Sequence, residues 1–77
     1  NPSMVYFNRS NKSLIINSDI LNIGATLSVY DVTGRKIASV INITENQVNI
    51  NDLSDGLYVY EVTNNNQVVE AGKVVVY

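Results

Sequence analysis

The stretch TLSVYDVTGRKIASV, residues 26–40, reads as a β-hairpin with its turn in the middle. Leu27, Val29 and Asp31 alternate with Ser28, Tyr30 and Val32, the period of two that belongs to a strand with one buried face. Asp31 then stands at the first position of a turn and Gly34 at its end. That is the pattern of a type I turn closed by a left-handed glycine bulge. Beyond the turn, KIASVINI sets Ile37, Ser39, Ile41 and Ile43 on one side, with Lys36, Ala38 and Val40 opposite.

The same period extends outward from this hairpin. QVNI (47–50) places Val48 and Ile50 on one face, and LYVYEV (57–62) groups Tyr58, Tyr60 and Val62, leaving Glu61 on a partly wet face. TNNNQ (63–67) is a second hairpin turn, because asparagine accepts positive φ and bonds to its own backbone. QVVEAGKVVVY (67–77) is rich in β-branched valine, and Gly72 within it marks an expected bulge or bend between two sheets. Toward the N-terminus, MVYF and the apolar run 14–16 supply two further strands, while NPS, with the only proline, is a lead-in. No window of ten residues shows an amphipathic helical period, and the β-branched and asparagine content opposes one. The expectation is an all-β fold: a small immunoglobulin-like β-sandwich of about seven antiparallel strands. Residues 1–77 form a single domain in this reading.

Composition removes several function classes. The 77 residues contain no cysteine and no histidine. Disulfides, thiol chemistry, serine–histidine triads and imidazole metal sites are therefore absent from the repertoire. A net charge of −2 with five cations gives no basic stripe for nucleic acid. No apolar run approaches the ~20 residues of a membrane-spanning helix. Asn1 is not an initiator methionine, and the chain reads as a segment of a longer protein. Twelve asparagines fall mostly between the apolar runs, where turns need them. Three of them open Asn-x-Ser/Thr triplets, at Asn8, Asn11 and Asn42, a number such a composition produces by chance.

The acids offer little chemistry. Asp31, Asp52 and Asp55 sit beside turn signals, where aspartate serves the backbone. Asp52 and Asp55 form the one pair that calcium could use, without the ligand density of a calcium loop. LSDGLY is more telling. Leu53, Gly56 and Tyr58 have the spacing of a tyrosine corner, in which the ring packs inward and the hydroxyl bonds back to the loop before the strand. Gly56 is expected at positive φ there.

Taken in order, LSVYDVTGRKIASV, INDLSDGLYVYEV and AGKVVVY resemble the type A C-terminal sorting domain of the type IX secretion system, carried by cargo proteins of Bacteroidetes-group bacteria. The family pattern falls here on Asn1-Pro2, on Asp31 with Gly34 and Arg35, on Leu53, Gly56 and Tyr58, and on Lys73 with Val74, Val75 and Val76. The proline that precedes Asn-Pro in the family is not present, and residues 3–23 carry no diagnostic motif.

The resemblance implies a non-enzymatic signal with no cofactor and no small-molecule substrate. Its partners would be the translocon with its outer-membrane shuttle and sortase proteins, and a cargo domain on the N-terminal side. The route would run through the periplasm to the cell surface or medium, with sortase removal and release of the cargo or its attachment to lipopolysaccharide. Recognition would fall on Arg35, whose planar fork suits carboxylates, and on the terminal strand Lys73, Val74, Val75, Val76 and Tyr77. A valine-rich edge strand is also open to pairing between copies, against which Lys73 acts as a guard. The competing reading is an adhesion or spacer module of the immunoglobulin or fibronectin kind. A sugar-binding module would need exposed stacking aromatics, and there is no tryptophan.

Overall fold

The structure, a computed structural model, describes residues 5–50 and 52–77. Seven strands follow in order: β1 (Val5–Asn8), β2 (Ser13–Ile16), β3 (Thr26–Tyr30), β4 (Lys36–Val40), β5 (Gln47–Asn49), β6 (Gly56–Asn64) and β7 (Gln67–Val76), with one turn of 3₁₀ helix at Ser18–Ile20. They form two antiparallel sheets, β1-β2-β5 and β4-β3-β6-β7. The chain is thus an all-β, immunoglobulin-like sandwich: first, second and fifth strands on one sheet, third, sixth and seventh on the other, with the fourth at the edge of that second sheet beside the third. Met4 of the MVYF run and the Asn1-Pro2 lead-in lie outside the described residues.

The alternating apolar positions meet between the sheets. Val5, Leu14 and Ile16 come from one sheet, and Leu27, Val29, Tyr58, Tyr60, Val62, Val74 and Val76 from the other, all buried. Ile43 and Ile50, from the connections on either side of β5, are buried with them. Backbone bonds tie the β4–β5 connection to the loop before β3: Ile43 N–H to Ala25 O at 2.9 Å and Asn22 N–H to Ile43 O at 2.9 Å. The two predicted hairpins form. Gly34 N–H bonds Asp31 O and Asp31 N–H bonds Arg35 O, each at 3.0 Å, with Gly34 at φ +89°. In the second, only Asn65 and Asn66 take positive φ (+54° and +63°), the signature of a two-residue type I′ turn.

Two expectations need correction. The division of β4 into two alternating sides fails at Ile37. The register runs Tyr30 to Lys36 and then Val29 to Ala38, which makes Ile37 an extra residue. Because side chains alternate, one inserted residue swaps the faces of all that follow. Ile37 therefore packs against the core together with Ala38 and Val40, Ser39 is exposed, and Ile41 lies outside the strand and faces solvent. The second correction concerns Gly72, which is neither a bulge nor a bend. It pairs directly with Tyr60, while the irregularity of β7 falls at Val69, between the pairs Thr63–Val68 and Val62–Glu70. A Cβ on Gly72 would stand 2.8 Å from the Tyr60 hydroxyl and 2.9 Å from its ring. The glycine is there to let an aromatic ring lie across the strand.

Candidate recognition surface

Asp31 organises the β3–β4 turn. Its Oδ1 accepts from the Thr33 hydroxyl at 2.5 Å, from Thr33 N–H at 2.9 Å and from Arg35 N–H at 3.0 Å, and its Oδ2 lies 3.3 Å from Arg35 Nε. The Thr33 hydroxyl above all, then the Arg35 amide, hold the Asp31 carboxyl below its ordinary range against the opposing effect of desolvation, with lesser help from the Thr33 amide and the guanidinium. Arg35 is itself 80% exposed, so its fork stands on the surface with one nitrogen turned to its own turn.

The tyrosine corner is formed. Tyr58 enters the core, and its hydroxyl donates to Ser54 O at 2.6 Å; Gly56 sits at φ +154° and Leu53 packs at the core margin. Asp55, immediately before β6, pairs with Lys12 Nζ at 3.1 Å and so links the β5–β6 loop to the β1–β2 hairpin. Asp52 is exposed, and among the described residues no group of three or more acids gathers as a metal site would require.

The terminal strand is divided by its own alternation. Val74 and Val76 are in the core at 7% and 1% exposure, whereas Val75 and Tyr77 are each 54% exposed and Lys73 is on the surface. Of the five residues singled out there, the folded domain presents Lys73, Val75 and Tyr77. Tyr77 does not trail away. Its ring lies 5.7 Å from that of Phe7, and the Arg9 guanidinium sits 4.8 Å over it, so the end of β7 is fastened to β1 and the hairpin that follows. Periodicity could not show this contact, because it joins residues at opposite ends of the sequence. On core-side β7, the Tyr60 hydroxyl crosses Gly72 and donates to Glu70 at 2.5 Å.

At the opposite lateral side, an open groove of about 240 Å³ lies between the ends of β4 and β5. Val40, Ile41, Ile43 and Val48 line it together with Glu45 and Gln47. It does not include Asp31, Arg35, Tyr58 or the terminal strand.

The arrangement is thus a sandwich with an ordered, partly outward-facing last strand and an exposed Asp-x-x-Gly-Arg hairpin. The family model described as the secretion system C-terminal sorting domain matches residues 4–77. The chain belongs to this family. As a sorting domain of the type IX secretion system, it carries a C-terminal secretion signal, and the family places its work at the outer membrane of Bacteroidetes-group bacteria. Comparison with curated proteins finds no match.

Proposed function

We propose that residues 1–77 act as one non-catalytic unit that is read in its folded state while attached to the C-terminal side of a cargo protein. In this reading the cargo reaches the periplasm first. The outer-membrane translocon and its shuttle then bind the domain through Arg35 on the β3–β4 turn and through Lys73, Val75 and Tyr77. A sortase removes the domain afterwards, and the cargo is released or joined to lipopolysaccharide. Val74 and Val76 serve recognition indirectly, by anchoring the strand that carries the exposed residues.

One observation carries the reading: the last strand is fully built into a sheet and fastened to β1 by Tyr77, yet turns alternate residues outward. A signal that had to be unravelled to be read would gain nothing from that ordering. The test is a periplasm-targeted reporter produced in a type IX-competent bacterium with and without residues 1–77 at its C-terminus. Delivery to the surface or medium only with the domain is the expected result. Retention of both in the periplasm, with the domain folded, would overturn the proposal and favour a spacer module of the same architecture.

A further inference from the structure

The two outer faces of the sandwich differ in character. On the β1-β2-β5 sheet, the outward rows are Tyr6-Ile15-Gln47 and Asn8-Ser13-Asn49, with Ser13 itself fully buried and Gln47 and Asn49 exposed. On the β4-β3-β6-β7 sheet, paired residues share a face, so the registers define the row Lys36-Tyr30-Val59-Lys73 across all four strands. Beside it lies the pair Leu57-Val75, with Leu57 43% and Val75 54% exposed. Aliphatic side chains thus occupy the solvent side of the central strand β6 and of β7, where alternation alone would place polar groups.

The charges on this face are equally particular. Lys12 and Arg35 have carboxylate partners, and Arg9 lies on the Tyr77 ring. Among the described residues, Lys36 and Lys73 pair with no carboxylate. They stand at the two ends of one row, separated by three strand spacings, roughly 14 Å. The one acid on the face, Glu61, lies in the next row. Lys36 lies over the Tyr30 ring at 5.9 Å. An acidic molecule of net charge −2 therefore turns toward solvent an apolar strip bracketed by two lysines without carboxylate partners among the described residues. Edge lysines do discourage strand pairing, but that role calls for no exposed Leu57 and Val75 beside a half-buried Val59.

We infer that the outer face of the β4-β3-β6-β7 sheet is a docking surface for a protein partner that presents an aliphatic patch flanked by carboxylates. The inference rests on the proposed sorting role and extends it from the terminal strand to Leu57 and Val59 on β6, Tyr30 on β3 and Lys36 on β4. Aliphatic contact supplies the attraction at the centre. The two lysines fix the orientation and reject surfaces of the same charge.

The test uses the reporter fused to the whole chain. Charge reversal by Lys36→Glu with Lys73→Glu should lower the exported fraction at least tenfold, while Lys36→Arg with Lys73→Arg keeps it within twofold of wild type. Tyr6→Thr with Ile15→Thr on the other sheet should also leave it within twofold. Thermal unfolding of each purified domain confirms that surface substitutions alone are compared. Export of the charge-reversed fusion at the wild-type level would overturn the docking face and Lys73's share in recognition, and leave the sorting role itself standing. Failure of the wild-type fusion to be exported would overturn both. A dimer in solution that charge reversal dissociates would put a second copy of the chain on this face and overturn the assigned partner.

Discussion

At the scale of single residues, the fold rests on side chains that complete backbone geometry. Tyr58 closes its corner through one hydroxyl bond to Ser54 O. Tyr58→Phe keeps the ring and should cost about 0.5–1.5 kcal/mol, measurable by urea denaturation. Gly72→Ala should cost about 1–3 kcal/mol, because Tyr60 already fills the space a methyl group needs and the cross-strand partner must shift. Asp31 gives a pH prediction with a definite sign. Its folded carboxyl is held below the ordinary value, so between the two values the unfolded chain binds a proton that the native state does not. The stabilisation is complete at neutral pH and is lost as pH falls through the folded value, below about 4. Stability of the wild type should therefore drop more steeply below that point than that of Asp31→Asn. Parallel curves for the two proteins would remove Asp31 from the explanation.

These residue-scale features were largely legible in the sequence, since a tyrosine corner and an Asp-to-Gly turn are defined by neighbours within five positions. Gly72 was not. Its reason for being glycine is Tyr60, twelve positions away and brought opposite by the register of two long strands. At the scale of elements the same limit recurs. The existence and type of the strands followed from period two, but the two-sided division of β4 did not hold, because the extra residue at Ile37 breaks its alternation. The row Lys36-Tyr30-Val59-Lys73 is assembled by the registers of four strands, so no inspection of β4 alone would have found it. For β7, alternation was visible, and burial of Val74 and Val76 follows from it. Its fastening to β1 was not. Tyr77→Ala removes the contacts to Phe7 and Arg9 and should raise amide hydrogen exchange in the last residues of β7, while the central residues of β6 keep their protection. Unchanged exchange at the strand end would show that sheet pairing alone holds it.

At the scale of the whole molecule, the two sheets are closed differently at their sides. β1 and β7 lie side by side under the Phe7–Tyr77 contact, whereas β4 and β5 leave an open groove of mixed polarity between them. A domain of this size buries only about 60% of the surface its unfolded chain exposes, so its reserve of stability is small and its surface is set by a modest core. Reading it as a folded signal therefore makes export depend on that core. The most direct measurement is the exported fraction of a reporter carrying Leu14→Ala with Leu27→Ala, set beside the wild-type domain. Both leucines are buried, and such truncations cost about 2–5 kcal/mol each, comparable together to the stability of a small domain. The account predicts that export falls in step with the folded fraction, although Arg35, Lys73, Val75 and Tyr77 are all still present. Wild-type export from the unfolded double variant would contradict it, and would mean that a linear stretch of sequence is what the machinery reads.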